Sequence, residues 1–250
     1  MNAPRLSIIT VTYNAASTLE QTLQSVEKQG FRLFVEHLII DGASKDATLA
    51  IAEAYKERNA DMDITIVSER DKGLYDAMNK GLHMAKGEFI CFLNAGDKLH
   101  ADDTIEQIFG VRPADDKAGV IYGQTDIVNA NGEFLHKRRL TPPTLLTWKS
   151  FEWGMLVCHQ SFYARRSLCV DYDTQYRFSA DVDWCIKILK RCEDEGFTTE
   201  YHSEVFTDYL DEGMTTRNHR ASLIERFKVM SSHYGFLSTA WHHFLFIFRK

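Results

Sequence analysis

Residues 87–97 read Gly87-Glu88-Phe89-Ile90-Cys91-Phe92-Leu93-Asn94-Ala95-Gly96-Asp97, and this stretch decides the fold. Its five central residues are apolar, which is the pattern of a strand buried on both faces of a sheet. Three more short apolar runs precede it, at residues 6–12, 38–40 and 64–67, and helical patterns separate them. Alternating strands and helices predict an α/β fold with an open, mainly parallel sheet and helices on both faces.

The helical segments carry start signals. Ser17 and Glu20 have the spacing of a capping box, and Ser44 is placed to cap a second helix that ends near Arg58. Apolar residues at a spacing of four predict a third helix from residue 74 to near 87, and residues 102–109 form a short fourth one.

The second half of the chain changes character. Residues 122–129 and 132–139 flank the turn Asn129-Ala130-Asn131-Gly132, which predicts an antiparallel hairpin and makes the sheet mixed. A helix over about 180–192, an extended segment to 210 and helices after 218 follow. We therefore expect C-terminal helices packed on one domain.

The composition excludes several classes of protein. The chain has 250 residues, 44% of them hydrophobic and 26% charged, which is typical of a folded soluble protein. A net charge of −6 argues against a nucleic-acid binder. Five cysteines without a Cys-x-x-Cys pair suggest neither a disulfide framework nor a zinc site. With no signal-peptide pattern after Met1 and no apolar run of about 20 residues, we expect a cytoplasmic protein.

Polar side chains follow each of the four predicted strands. In an open parallel sheet, ligands bind beyond the carboxyl ends of the strands. A turn role explains any one of these residues, but residues after four strands share one edge of the sheet and indicate a site. The candidates are Tyr13, Asn14, Asp41, Asp71, Asn94 and Asp97.

The chemistry of these side chains favours a nucleotide diphosphate. The glycine-rich dinucleotide fingerprint and the phosphate-binding loop with a Lys-Ser/Thr end are both absent from the sequence. Carboxylates can instead accept hydrogen bonds from a base or ribose, and one of them can hold a Mg²⁺ or Mn²⁺ ion that bridges a diphosphate.

Four motifs carry a resemblance to a known family. They are residues 7–14 (SIITVTYN), residues 40–48 (IDGASKDAT), the segment from Glu69 to Gly81, and residues 87–97. Together they resemble the family 2 glycosyltransferases, most closely the branch that builds bacterial exopolysaccharide and lipopolysaccharide, including the colanic acid transferases. The resemblance is tight over residues 5–100 and continues through His159-Gln160 and 179–183 to about Gly213.

The resemblance implies a GT-A fold and an inverting transfer from a nucleotide-sugar to a saccharide or lipid-linked saccharide in cell-surface polysaccharide assembly. It implies one domain over residues 1–250, with a nucleotide-binding half (1–110), an acceptor-side half (111–215) and C-terminal helices (216–250). The donor is expected to carry uridine, with a GDP-sugar as the alternative. The protein is expected in the cytoplasm, with peripheral contact to the inner face of the membrane.

The resemblance also implies roles for the residues at the strand ends. Asp97 matches the last acid of the family's Asp-x-Asp motif and is the expected metal ligand. Asn94 and Gly96 stand where many relatives have acids, so either the Asn94 carbonyl oxygen or water completes the metal shell. The expected contacts to the donor nucleotide are Tyr13, Asn14, Asp41, Asp71 and Asn94.

Contacts to the donor sugar or the acceptor are expected from a second group of residues, which comprises Asp76, Asn79, His159, Gln160 and Asp183. Structural roles remain open for several of them. Asp76 and Asn79 lie one turn apart and can instead serve the first turns of the helix, and His159 can be a core histidine.

Asp181 is the expected general base. Asp181 and Asp183 lie two residues apart at the start of a predicted helix, so their side chains point about 200° apart and only one can face the sheet edge. In the family pattern the first Asp is the base, which is Asp181 here, and Asp183 is then a cap or orienting residue. Ala180 replaces the acid that precedes it in relatives.

Two further surfaces have alternative interpretations. The basic clusters Lys137–Arg139 and Arg165-Arg166 are either solvated faces or contacts for an anionic acceptor. The run from Trp241 to Lys250 is the most apolar part of the chain. It suits an interfacial membrane helix, a dimer contact or core packing.

Two rival functions share the α/β class. A sugar nucleotidyltransferase usually has a glycine-rich loop with Lys or Arg after its first strand, and Thr12-Tyr13-Asn14-Ala15 is not such a loop. A catalytically inactive nucleotide-sugar-binding subunit is the other rival, because only Asp97 remains of the acidic motif.

Overall fold

The computed structural model describes residues 5–110, 116–211, 219–246 and 248. Its strands are β1 (Leu6–Thr12), β2 (Val35–Asp41), β3 (Asp63–Ser68), β4 (Phe89–Phe92), β5 (Lys98–Leu99), β6 (Ala118–Val128), β7 (Phe134–Lys137), β8 (Phe162–Arg165) and β9 (Thr198–Leu210). Its α-helices are α1 (Leu19–Glu27), α2 (Thr48–Arg58), α3 (Leu74–Met84), α4 (Thr104–Phe109), α5 (Ala180–Asp194), α6 (His219–Tyr234) and α7 (Phe236–Phe246). Short 3₁₀ turns occupy Arg32–Phe34, Trp148–Trp153, His159–Ser161 and Arg166–Leu168.

The strands form one open sheet in the order β3-β2-β1-β4-β8-β6-β9-β5, with β7 paired to β6. The first four strands are parallel, as predicted. β8 runs antiparallel to both β4 and β6, and β9 runs parallel to β6. The predicted α/β class, the hairpin and the mixed sheet are confirmed, while β8 is a strand that the sequence did not predict.

Helices cover both faces of the sheet. Adjacent residues of β1 point to opposite sides, so Ile8 packs in the core beneath α1, α2 and α4, and Ile9 packs in the core beneath α3, α5 and α6. Both residues are fully buried. This explains why β1 is buried at every position instead of alternating between buried and exposed residues.

Two predicted helix caps are wrong. Helix α1 begins at Leu19, no side chain caps it, and Glu20 pairs with Arg58 at 2.9 Å instead of folding back on the helix. Helix α2 begins at Thr48, whose backbone N–H donates to Asp46 Oδ1 at 3.0 Å. Ser44 lies outside the helix because its hydroxyl accepts the backbone N–H of Asn14 at 2.8 Å.

The C-terminal helices are present, and α6 packs against α5. Glu225 of α6 accepts the backbone N–H groups of Arg177 and Ser179, each at 2.7 Å, at the start of α5. A carboxylate suits the positive end of a helix. No helix in the described residues is long and apolar enough to span a bilayer.

Candidate functional site

Two adjoining cavities open beyond the carboxyl ends of the parallel strands. The first cavity, of about 600 Å³, lies among the loops after β1, β2 and β3. The second cavity, of about 570 Å³, lies between the loops after β1 and β4 and the start of α5. Val11, Thr12, Tyr13 and Leu74 line both. The edge of the sheet that the sequence indicated is therefore concave.

The structure divides the predicted site residues into two groups. Seven of them line a cavity: Tyr13, Asp71, Asn94, Asp97, His159, Gln160 and Asp181. Five others do not line either cavity: Asn14, Asp41, Asp76, Asn79 and Asp183. The second group makes hydrogen bonds or ion pairs within the protein, and these contacts explain why its side chains point elsewhere.

Asn14 ties the loop after β1 to the loop after β2. Its Oδ1 accepts the backbone N–H of Lys45 at 2.9 Å. Asn14 and Ala43 adopt positive φ angles of 48° and 58°, which few non-glycine residues do. The two loops are thus held in a defined backbone conformation that has a free-energy cost.

Asp41 is fully buried and shapes the loop that follows it. Its carboxylate accepts hydrogen bonds from the Ser44 N–H at 3.0 Å and from the Ser68 hydroxyl at 2.6 Å. At Gly42, a Cβ atom would lie 3.1 Å from Asp71 Oδ2 and 3.2 Å from the Tyr13 ring. The loop therefore passes close to both side chains, and a larger residue at position 42 would require them to shift by a few tenths of an ångström.

Tyr13 and Asp71 face the first cavity. The Tyr13 side chain is 62% exposed and lines both cavities, so one face of its ring is available for stacking. Asp71 forms an ion pair with Lys80 Nζ at 2.6 Å. Hydrogen bonds to Asp71 and Glu69 raise the pKa of Lys80. These residues can present an aromatic face and a carboxylate to a nucleoside.

Asp97 and Asn94 face the second cavity from the turn after β4. Asp97 is only 5% exposed, and burial raises its pKa to about 7, against the effect of hydrogen bonds from Leu210 N–H and Gln160 Nε2. The Asn94 Oδ1 atom is buried and has no hydrogen-bond partner within the described structure. Mg²⁺ and Mn²⁺ take carboxylate and carbonyl oxygens, so Asp97 and Asn94 are both candidates to hold a divalent cation.

Asp181 faces the second cavity, whereas Asp183 turns away from it. The Tyr75 hydroxyl donates to Asp181 Oδ1 at 3.3 Å, and burial raises the pKa of this carboxyl group. Asp183 forms ion pairs with Lys187 at 2.6 Å and with His233 at 2.7 Å. Burial alone would raise the pKa of Asp183, but these two partners lower it overall.

His159 and Gln160 support the floor of the second cavity. His159 is hydrogen-bonded to the Tyr172 hydroxyl at 2.6 Å, and burial lowers its pKa to about 3, so the ring is neutral. Gln160 Nε2 donates to Asp97 Oδ2 at 2.8 Å. Gln160 is therefore a direct neighbour of the expected metal ligand.

Asp76 and Asn79 both make hydrogen bonds within the protein. Asp76 Oδ2 accepts the backbone N–H of Lys72 at 2.9 Å at the start of α3. The Asn79 side chain makes two hydrogen bonds with the backbone of Tyr172, at 3.0 and 2.8 Å. Both side chains are used in these hydrogen bonds, and neither residue lines a cavity.

The sequence did not identify several residues of the cavities: Thr12, Tyr75, Arg177 and Arg226, with Arg138 noted only as part of a basic cluster. The Thr12 hydroxyl is buried without a partner in the described residues and stands where the cavities meet. Tyr75 lies inside the motif from Glu69 to Gly81, so the sequence did indicate that this residue lies near the site. The arginines reach the site only through tertiary packing, so no local pattern marks them.

A third group of possible ligands lies at the far edge of the sheet. Oxygen or nitrogen atoms of His100, Asp126 and Asp208 lie within 4.8 Å of one another. Lys98 Nζ stands 3.3 Å from Asp208 Oδ2 and already neutralises that carboxylate. We assign no metal to this group.

Comparison with known families decides the class of protein. The sequence pattern of Glycosyl transferase family 2 matches residues 7–172, which is more than half of the chain. The chain belongs to glycosyltransferase family 2. The matched region contains the ends of β1 to β4 and the His159-Gln160 pair, so the cavities described above lie largely within it.

Curated relatives are bacterial glycosyltransferases. A "PGL/p-HBAD biosynthesis glycosyltransferase" of Mycobacterium bovis is 31% identical over 216 residues, covering 85% of this chain and 79% of the relative. The amylovoran biosynthesis glycosyltransferase AmsB of Erwinia amylovora is 26% identical over 193 residues, covering 74% and 64%.

Solved structures share the GT-A fold. The S. aureus TarS structure in complex with UDP-GlcNAc matches with a TM-score of 0.68 at 20% identity, covering 90% of this chain and 64% of the TarS chain. The mannosyltransferase PcManGT from Pyrobaculum calidifontis, in complex with GDP-Man and Mn²⁺, matches with a TM-score of 0.60 at 18% identity, covering 96% and 74%.

Proposed function

We propose that this glycosyltransferase transfers a sugar, with inversion, from a nucleotide-sugar to a saccharide or lipid-linked saccharide in cell-surface polysaccharide assembly. The observation that carries the proposal is the presence of Asp97 and Asp181 on the walls of one cavity. A metal-binding carboxylate and a base across from it are what a single displacement at the sugar C1 requires.

We assign residues 1–110 to the nucleotide-binding half of one domain, 111–215 to the acceptor-side half and 216–250 to C-terminal helices. The nucleoside fills the first cavity, with its base on the Tyr13 ring and its ribose or base hydrogen-bonded to Asp71. Asn14 and Asp41 act indirectly, by fixing the loops that hold Tyr13 and Asp71 in place. We favour a uridine donor.

Asp97 and Asn94 are the residues that would hold a divalent metal, Mg²⁺ or Mn²⁺. The partnerless Asn94 Oδ1 atom supports a carbonyl ligand beside the carboxylate. A bound ion would supply positive charge that stabilises the departing diphosphate. Gln160 and the Leu210 N–H orient the Asp97 carboxylate and lower its pKa against the effect of burial.

Asp181 serves as the general base. The acceptor hydroxyl gives its proton to Asp181 while its oxygen bonds to C1 and the bond from C1 to the diphosphate breaks. The raised pKa of Asp181 makes it a stronger base than an exposed aspartate. The Tyr75 hydroxyl holds the carboxylate in position through Oδ1.

The C-terminal helices offer a surface for the membrane. Six of their apolar side chains are exposed, and we call this set the C-terminal apolar surface: Leu223, Ile224, Phe236, Leu237, Trp241 and Phe244. Ile224 has exposed Arg220 and Lys228 one turn away on each side of it in α6. Apolar side chains beside cations fit an anionic bilayer surface. Arg249 and Lys250, which contributed to this prediction, lie outside the described residues.

Purified protein incubated with UDP-sugars and Mn²⁺ tests the reaction. Release of UDP in the presence of an acceptor is the expected result. Calorimetry tests the nucleotide of the donor, and we expect UDP to bind more tightly than GDP. Release of pyrophosphate would identify a nucleotidyltransferase instead. Binding of UDP without turnover of any donor would indicate the inactive scaffold.

A further inference from the structure

Three arginines line the second cavity, and they come from three separate parts of the chain: Arg138 after β7, Arg177 before α5 and Arg226 in α6. None of them forms an ion pair with a carboxylate within the part of the chain that the structure describes. Positive charge in a partly buried cavity is costly unless an anion accompanies it.

Each guanidinium is held without being neutralised. Arg138 donates only to backbone carbonyl oxygens, those of Leu140, Leu156 and Met155, at 2.6–3.0 Å. The Arg226 Nε atom is buried and has no hydrogen-bond partner in the described structure. The Arg177 guanidinium lies 5.6 Å from the Phe178 ring at the mouth of the cavity. Within the described residues, the Arg226 Nε atom and the Arg177 guanidinium thus have no hydrogen-bond acceptor, and these donors can serve a ligand.

Two of the arginines lie beside the expected base: Arg177 lies just before α5, and Arg226 follows Glu225, which accepts the Ser179 N–H at the start of α5. Arg226 acts on the Asp181 carboxyl group, where it partly offsets the effect of burial on the pKa. The pKa of Asp97 is instead set by burial and by hydrogen bonds from Leu210 and Gln160. Arg177 and Arg226 are thus placed on the wall of the second cavity where the expected base lies.

We propose that Arg138, Arg177 and Arg226 form a subsite for a phosphate group carried by the acceptor close to its attacking hydroxyl. The inference rests on the proposed function, because Asp181 marks the acceptor side only if it is the base. Guanidinium groups converging from several elements suit a phosphate, since they can donate to several of its oxygens at once. Arg138 supplies charge from the floor of the subsite, and Arg177 and Arg226 supply the hydrogen bonds.

Calorimetry on the full chain tests the subsite with the donor site filled by UDP and Mg²⁺. Glucose 1-phosphate is the probe, glucuronate tests for a carboxylate, and methyl glucoside is the neutral control. We expect glucose 1-phosphate to bind at least tenfold more tightly than methyl glucoside. Arg177→Gln and Arg226→Gln should each weaken this binding about tenfold, while Arg139→Gln, an exposed neighbour outside the cavity, should leave it unchanged.

Several results would overturn the inference. Equal binding of the neutral sugar, or an equal loss in Arg139→Gln, would mean that no specific subsite exists. Tighter binding of glucuronate would replace phosphate by carboxylate. Binding of glucose 1-phosphate only when UDP is omitted would assign the arginines to the donor diphosphate. Failure of UDP itself to bind would count against the proposed function as a whole, which distinguishes the two failures. Arg177 is exposed, so its variant is expected to fold even where Arg226→Gln does not.

Discussion

Gln160 holds the carboxylate of Asp97 from one side, with its Nε2 donating to Oδ2 at 2.8 Å, while the Leu210 N–H donates to Oδ1 at 3.0 Å from the other. The sequence suggested a sugar contact for Gln160, yet the structure makes it a partner of the expected metal ligand. Both hydrogen bonds favour the ionised form of a carboxyl group that burial would keep protonated.

Replacing Gln160 with Met should weaken metal binding without emptying the site. The variant keeps a similar volume but loses the donor, so the pKa of Asp97 rises and fewer molecules carry the carboxylate at pH 7. We expect Mn²⁺-dependent UDP affinity to fall about three- to tenfold, measured by calorimetry. Gln124→Met removes a similar hydrogen bond, to the Tyr201 hydroxyl, outside the cavities, and should not change the affinity. Equal affinity in the two variants would contradict the role of Gln160.

The buried Asp97 also predicts a pH dependence of stability in the metal-free protein. Its pKa is about 7 in the fold and 3.8 in the reference state, so the group favours folding below pH 3.8 and this stability is lost as the pH rises towards 7. Asp97→Asn removes the free-energy cost of ionising this buried carboxyl group, which is at most about 4 kcal/mol. The variant should gain stability over the parent between pH 5 and 7, with no further gain above pH 8, in urea unfolding. A gain that does not depend on pH would contradict the raised pKa.

Asn94 offers a gain-of-function test of the metal site. Asn94→Asp places a second carboxylate at the position whose oxygen lacks a partner, and we expect Mn²⁺ to bind about tenfold more tightly. Asn94→Ala removes the oxygen and should weaken binding by a similar factor. Direct Mn²⁺ titration measures both. If neither variant changes Mn²⁺ affinity, water and not Asn94 completes the shell.

Asp181→Asn should abolish proton acceptance while leaving the donor site intact. We expect kcat to fall at least a hundredfold with UDP affinity unchanged. Asp183→Asn breaks the ion pairs with His233 and Lys187 instead, so it should lower the melting temperature and affect kcat much less. The two aspartates have exchanged roles if Asp183→Asn is the variant that loses turnover. In the parent enzyme, kcat should rise with pH through the raised pKa of Asp181, because only the ionised form accepts a proton.

Contact with a membrane predicts a measurable partition onto lipid vesicles. Leu237 is 83% exposed on the C-terminal apolar surface, and Leu237→Glu should reduce co-sedimentation with vesicles containing phosphatidylglycerol about tenfold. Leu33 is similarly exposed in the 3₁₀ turn before β2, and Leu33→Glu should have no effect. Vesicles of neutral lipid should bind the parent more weakly. If the protein is a dimer in the absence of lipid and Leu237→Glu dissociates that dimer, a second copy covers this surface.

The first half of the fold could be predicted from the sequence because three of its strands, β1, β2 and β4, are buried on both faces. A run such as residues 89–93 has few alternatives to a central strand, and the polar residues after it mark the sheet edge without any knowledge of packing. Strand β8 escaped prediction because it follows a 3₁₀ turn directly, without a turn signal that would mark its start. Its partners, β4 and β6, are distant in sequence.

The sequence predicted where the site lies better than it predicted which contacts each side chain makes. Asp97 and Asp181 both line the second cavity, in keeping with the sequence interpretation. The Asn79 amide is hydrogen-bonded to the backbone of Tyr172, and periodicity does not reveal a tertiary partner of that kind. Arg226 was missed for the same reason, since only the packing of α6 against α5 brings it to the cavity.

Three consecutive residues of α6 have different structural roles. Ile224 points to solvent, Glu225 accepts N–H groups at the start of α5, and Arg226 lines the second cavity. Successive residues of a helix are rotated by about 100°, so an insertion or deletion of one residue ahead of Ile224 would turn each side chain to the wrong neighbour. Evolution can therefore change the length of this enzyme's loops more freely than the length of the helix segment before Ile224.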